Sequence, residues 1–128
     1  MKLLLDTHIL IWWIDAPQRL PARLLTPLED PANEFFVSVV NLWEIQVKQQ
    51  LGKLQLSVPL TQLIARQQRT NAIHVLTIIP AHIYELDNLP LHHRDPFDRL
   101  LIAQANVEGL TLVTVDPLCI VYPVSYLN

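Results

Sequence analysis

Glycine is nearly absent from this chain: 2 residues in 128, against 10 prolines. No glycine-rich phosphate loop and no Gly-x-Ser-x-Gly elbow can be found, which argues against a nucleotide-binding fold and an α/β-hydrolase. Cysteine is equally scarce. The lone Cys119 excludes a disulfide framework and a Cys-based zinc site within one chain. It reads as a small buried hydrophobe and fits a reducing compartment. The five histidines, His8, His74, His82, His92 and His93, include no pair at zinc-ligand spacing. The His92–His93 pair falls in a loop and reads as solvated. Asp6-Thr-His8 lacks the second acid that an aspartyl-phosphate phosphatase carries two residues on. Long apolar runs are also missing, none approaching the ~20 residues of a membrane span. The start, Met1-Lys2-Leu-Leu-Leu5, begins like a signal peptide, but Asp6 and His8 interrupt it. A cytoplasmic protein with no membrane partner is the expectation. Finally, there is no basic surplus. The net charge of −3 offers no broad cationic face for a polyanion.

What is present is a sizeable apolar fraction, 51%, in a length that suits one domain spanning residues 1–128. Residues 2–5 read as a short buried strand. Ile9–Ile14, with Leu20, Leu24, Leu25 and Leu28 at helical spacing, predicts two short helices broken near Pro17 and Pro21. Asp30-Pro31 is a turn, and Glu34–Val37 a strand rich in aromatic and β-branched residues. Asn41–Leu51 predicts a helix stopped by Gly52. Leu60–Arg66 is a further amphipathic helix, Ile73–Leu76 a strand, and Pro80 opens a helix carrying Ile83, Tyr84 and Leu86. After a loop over Leu89–Arg94, Asp95-Pro96 sets an N-cap and a first-position proline. That helix turns Leu100, Leu101 and Ala105 inward and ends at Gly109. Leu110–Val115 is the last strand, with an edge segment and tail beyond. Strands alternating with helices predict a three-layer α/β/α sandwich around a mostly parallel sheet. Trp12, Trp13 and Trp43 read as core or interface rather than as base-stacking platforms. Trp12 and Trp13 cannot both face one core, which places one at an interface.

Four carboxylates stand where one kind of structure gives way to another. Asp6 ends the first strand, Glu44 lies just inside a helix, Asp98 is in the first turn of the helix opened by Asp95, and Asp116 ends the last strand. Each has a structural explanation. Asp6, with Thr7, could cap the next helix. Glu44 could close a capping box with Asn41 or pair with Lys48. Asp98 suits the positive end of its helix, and Asp116-Pro117 could be only a turn. Their shared position is the stronger signal. Ligands of parallel α/β sheets gather at the carboxyl ends of the strands, and four acids at that edge call for a hard divalent cation. Setting these four aside turns the net charge of −3 into +1, so a polyanionic substrate is not excluded.

Four segments occur in order along nearly the whole chain: Leu3-Leu-Leu-Asp-Thr-His8; Ser38-x-x-x-x-Trp-Glu-Ile45 with Lys48 and Gly52-Lys-Leu54; His93-Arg-Asp-Pro-Phe-Asp-Arg-Leu-Leu-Ile-Ala-Gln-Ala105; and Leu112-Val-Thr-x-Asp116. Together they resemble the PIN-domain family, specifically the VapC-type ribonuclease toxins of bacterial toxin–antitoxin modules. The resemblance implies a metal-dependent endoribonuclease leaving a 5′-phosphate and a 3′-hydroxyl. It implies Asp6, Glu44, Asp98 and Asp116 as catalytic acids. Asp6 and Asp98 would hold Mg²⁺ or Mn²⁺, with Glu44 and Asp116 bound to it directly or through water. Thr7, Thr114 and Asp95 would support them, Thr114 by orienting Asp116 or a water, Asp95 by holding a metal-binding acid from behind or as a cap. Glu108 stands near the place of an extra acid that some members carry, and neither it nor His8 receives a role. Lys48, Lys53, Arg94 and Arg99 are candidate contacts to the RNA backbone. The expected partners are RNA, a small antitoxin and a second copy of the chain. Two other readings share this fold: a binding module that has lost turnover, and a structure-specific DNA nuclease, for whose helical arch the chain is short.

Overall fold

The computed structural model describes all residues, Met1–Asn128. Five parallel strands form one sheet in the order β3-β2-β1-β4-β5. They are β1 (Lys2–Leu5), β2 (Glu34–Ser38), β3 (His74–Leu76), β4 (Thr111–Val113) and β5 (Tyr126–Leu127). Seven helices connect them: α1 (Thr7–Asp15), α2 (Ala22–Glu29), α3 (Val39–Gln50), α4 (Leu60–Thr70), α5 (Pro80–Glu85), α6 (Pro96–Glu108) and α7 (Pro117–Ile120). None is long and apolar enough to cross a membrane.

The leucines of β1 show why the fold has three layers. Side chains alternate across a strand, so Leu3 and Leu5 enter one core with Ile9 and Leu10 of α1, Leu24 and Leu28 of α2, and Leu63 of α4. Leu4 enters the other with Val40 of α3 and Leu101 and Ile102 of α6. Both faces are covered, as a parallel sheet requires. The strand order matters most for function. From β1 the chain winds outward through β2 and β3, then returns to place β4 and β5 on β1's other side. The β1–β4 boundary is therefore the topological switch point, where ligands of such sheets bind. The backbone N–H of Asp6 continues the β1–β4 ladder onto Val113 O at 3.0 Å.

The sequence-based boundaries shift in places with identifiable causes. α3 starts at Val39, two residues earlier than expected, because Ser38 caps it directly from β2. Ser38 Oγ accepts the N–H of Val40 at 3.0 Å, and Asn41 Oδ1 accepts the N–H of Ser38 at 2.8 Å. The capping box is thus Ser38–Asn41, not Asn41–Glu44, and Glu44 moves into the second turn. β4 ends at Val113, leaving Thr114–Asp116 as the link to α7. α6 begins at Pro96 under the Asp95 cap and ends at Gly109, whose φ of +66° is a left-handed terminus that glycine adopts without strain. Leu25 of α2 is exposed, while Leu24 and Leu28 are buried. Trp12 and Trp13 are both half-buried against the first core, Trp13 tilted on Phe35 at 5.1 Å. Trp43, expected in core or interface, is 54% exposed.

Leu4 has no exposed surface and lies on the central strand. Leu4→Ala should cost about 2–5 kcal/mol of unfolding free energy, seen as a lower denaturant midpoint at unchanged m-value. A loss below ~1 kcal/mol would contradict its place in the core.

Candidate active site

Asp6 follows β1 and caps α1, its Oδ1 accepting the N–H of Ile9 at 2.8 Å. Its other oxygen accepts the hydroxyl proton of Thr114, which follows β4 and is fully buried. A hydroxyl has one proton to give. Thr114 therefore aims the Asp6 carboxylate, and its remaining contact is to the backbone N–H of Asp116, at 3.1 Å. Thr114 thus meets Asp116 through the backbone N–H of that residue and gives its hydroxyl proton to Asp6. β1 and β4 are neighbours, so a group just after β4 reaches the acid just after β1. Burial holds the Asp6 carboxyl above its ordinary range, with the charge of Asp116 adding to it. The bonds from Ile9 and Thr114, and the proximity of His8, offset part of this.

Glu44 is buried in the second turn of α3. Thr7 Oγ1 donates to its Oε1 at 2.6 Å, and Asn41 Nδ2 donates to Thr7 Oγ1 at 3.1 Å. Lys48 Nζ, one turn on, meets Oε2 at 2.6 Å. Asp116 caps the short α7 by accepting the N–H of Leu118 at 2.9 Å through Oδ1. Asp98 sits at the third position of α6, its N–H held by the Asp95 cap at 3.1 Å. Burial pushes the Asp98 carboxyl up to about 6, helped by the charges of Asp95, Glu44 and Asp116 and opposed by a hydrogen bond from His93.

His93 is a residue that the sequence reading left in solvent. It is half-buried, with Nε2 at 3.2 Å from Asp98 Oδ2 and Nδ1 at 2.7 Å from the hydroxyl of buried Tyr122. The tautomer follows from counting protons. Tyr122 Oη accepts the backbone N–H of His93 and an N–H of Arg99, each at 3.1 Å. Its own proton then goes to Nδ1 rather than to His93 O at 3.4 Å. Neutral His93 consequently carries its proton on Nε2 and donates it to Asp98. The only sequence signal was a histidine five residues ahead of an acid, across a helix cap.

The four acids and Cys119 form one electrostatic group. Asp98 feels Glu44 and Asp116, Asp6 feels Asp116, and the Cys119 thiol feels Asp98, Asp116 and Asp6. His93, Asp98 and Cys119 offer donor atoms within 4.8 Å of one another. Burial and the three acids push the thiol far above its ordinary value, so it stays protonated and packs as a neutral group. The effective donors are carboxylate oxygens. Asp98 Oδ1 and Asp116 Oδ2 have no hydrogen-bond partner, while every other oxygen of the four acids has one. A cluster of acids whose charges help to raise the carboxyls of Asp6 and Asp98, with carboxylate oxygens left free, fits a hard divalent cation.

Other candidates stand elsewhere. Lys53 is exposed in the turn beyond α3, and Arg94 is exposed in the loop before α6. The Arg99 guanidinium is engaged within the protein, on Pro90 O at 2.8 Å and on Tyr122 Oη. Glu108, at the far end of α6, meets His82 Nε2 at 2.8 Å and lies away from the acids.

The PIN domain sequence profile matches residues 3–118. The chain belongs to the PIN-domain family. It is 32% identical over 114 residues to Ribonuclease VapC22 of Mycobacterium tuberculosis, an alignment spanning 88% of this chain and 85% of that protein. Among solved structures it is similar to VapBC2 from Rickettsia felis bound to a DNA fragment from their promoter, with a TM-score of 0.73 and 19% identity, covering 100% of this chain and 98% of that one. VapBC-1 from nontypeable Haemophilus influenzae gives 0.66 and 17%, covering 100% and 98%. At those identities the structures speak for the fold alone, a parallel α/β PIN fold.

The acids make a prediction about the metal-free protein. Asp98 titrates at about 6 in the folded chain against an ordinary 3.8, so between these values the folded state holds more protons than the unfolded one. Its contribution to stability is full below about pH 4 and is lost as pH rises through about 6. In EDTA, Asp98→Asn should melt at a higher temperature than wild type near pH 7 and lose that advantage towards about pH 4. Thermal denaturation across this range is the measurement, and a variant that melts lower near pH 7 would contradict it.

Proposed function

We propose that residues 1–128 act as one nuclease domain that hydrolyses RNA phosphodiester bonds, the toxin of a toxin–antitoxin pair. The observation that carries this is the meeting of Asp6, Glu44, Asp98 and Asp116 at the switch point, with carboxylate oxygens left free. The ribonuclease name of the M. tuberculosis relative supports the reaction, and the VapBC neighbours support an antitoxin partner. The cofactor is Mg²⁺ or Mn²⁺, since the donors are hard oxygens. Asp6 and Asp98 would hold it, with Glu44 and Asp116 joining directly or through water. When bound, it would acidify water near neutral pH and offset charge on the phosphoryl oxygens.

The chain's own residues supply orientation and charge. Thr114 and the Ile9 N–H hold both oxygens of Asp6, leaving it little freedom to turn. His93 fixes one oxygen of Asp98 and leaves the other towards the cluster. Asn41 and Thr7 form a relay of hydrogen bonds that pins Glu44. Asp95 acts through the backbone, by capping the helix that carries Asp98. Lys48 balances Glu44, and Lys48, Lys53 and Arg94 would contact the phosphate backbone. Arg99 contributes its field while its guanidinium braces the loop before α6. The protein would act in the cytoplasm, as a homodimer whose active sites the antitoxin covers.

The purified chain should cut structured RNA in Mg²⁺ or Mn²⁺, and EDTA should stop it. Asp6→Asn should lower the rate by more than the ~10–100-fold expected for an outer-shell partner, and Thr114→Val should fall within that range. Both variants should keep the wild-type circular dichroism spectrum. Wild-type rates in Asp6→Asn would show the site to be wrongly assigned.

A further inference from the structure

Trp43 is the one tryptophan of the three that the fold does not cover. Its neighbour Glu44 turns inward to the acid cluster, while Trp43 turns out and meets Phe97 of α6 edge-on, with ring centroids 4.8 Å apart at 79°. Between this ring and the loop before α6 lies a cavity of about 280 Å³. Its walls are mainly apolar, including Leu91, which is 68% exposed, together with Leu86 and Leu100. Arg94 and Arg99 also line it, and neither forms an ion pair with an acid. Arg94 makes no side-chain hydrogen bond at all, and Arg99 bonds only to uncharged oxygens. Both keep their full positive charge beside an aromatic, apolar pocket. Arg99 immediately follows Asp98 and Trp43 immediately precedes Glu44, so the same two helices, α6 and α3, carry both the pocket and two of the acids.

We propose that this pocket receives a nucleobase of the substrate strand next to the phosphate held at the acids. The proposal rests on the nuclease reading above. The chemistry of the pocket selects the occupant. A nucleobase is a planar group with an apolar face that stacks on an indole, and every base has such a face. It hangs from an anionic backbone that two unpaired arginines attract. An apolar side chain of a protein partner would fill the same volume but would leave both guanidinium charges without a counter-ion. Stacking of this kind favours unpaired nucleotides, since a base must be free of its helix to enter. The pocket would thus direct cleavage to single-stranded segments such as loops.

The test uses a short single-stranded RNA oligonucleotide and versions of it with one abasic nucleotide at each successive position. Cleavage in Mn²⁺ gives kcat and KM for the wild type, Trp43→Ala and Trp43→Phe. Because Trp43 is exposed, these variants should fold normally, and wild-type Mn²⁺ binding by calorimetry confirms that the acid cluster is intact. Trp43→Ala should raise KM about ten-fold with little change in kcat, and Trp43→Phe should recover part of that loss. In the wild type, one abasic position beside the cut should raise KM similarly. In Trp43→Ala the same abasic position should cost nothing more, because the partner of that base is already gone. If the wild type cuts the RNA and Trp43→Ala keeps its KM, the pocket proposal is overturned, and a protein partner becomes its occupant. If the wild type binds Mn²⁺ but neither cuts nor binds the RNA, the nuclease reading fails, and the pocket proposal with it.

Discussion

Thr114 and Asp6 stand 108 residues apart in sequence, yet the threonine's one hydroxyl proton goes to the aspartate's carboxylate. This bond exists because β1 and β4 lie side by side where the sheet reverses its direction of winding. Everything in the site hangs on that adjacency. Asp6 leaves the end of β1 and Asp116 the segment after β4, so the two acids are brought within each other's field. α6, from the layer that packs on Leu4, then delivers Asp98, and α3, which gives Val40 to that core and Ile45 to the other, delivers Glu44. Had β4 added beyond β3 instead, the same residues would be scattered along the sheet edge.

Gathering acids in this way is costly, and the local structure shows how the cost is met. Asp6 and Asp116 each cap a helix, and Asp98 lies in the first turn of another. A cap contributes about 1 kcal/mol and a first-turn acid somewhat less. Those gains work against the burial and mutual repulsion that bias Asp98 and Asp6 towards protonation. Capping and the proposed catalysis thus draw on the same carboxylates for different ends. One oxygen of Asp116 is tied to its helix and the other is free, and Asp98 gives one oxygen to His93. The protein spends its hydrogen bonds on orientation and leaves the remaining lone pairs for a ligand.

Much of this was legible from local pattern. The apolar run before Asp6, the Asp95-Pro96 start and the Gly109 stop each encode their element within a few residues. The alternation of strands and helices implied the parallel sheet and the edge at which the acids meet. What escaped the reading depends on distant partners. Ser38 was taken as part of the segment between strand and helix, because β2 passes into α3 without a loop. His93 looked solvated because Tyr122, which sets its tautomer, is 29 residues away and packs beneath it only in the folded chain. The direction of Thr114 could not be known before β4 was placed beside β1. Trp43 was read as core or interface, and only the packing of α3 against α6 shows that it faces out.

The central claim is that the four acids form a single cation site, and the titration of Asp98 tests it most directly. Carbon-13 NMR of the aspartate side-chain carboxyls, followed against pH, reports that protonation residue by residue. In EDTA, the Asp98 carboxyl should titrate at about 6. With saturating Mg²⁺ its midpoint should fall by several pH units, because a bound divalent cation favours the carboxylate form. An ordinary midpoint near 4 in EDTA, or one near 6 that Mg²⁺ leaves unmoved, would contradict a shared cation site.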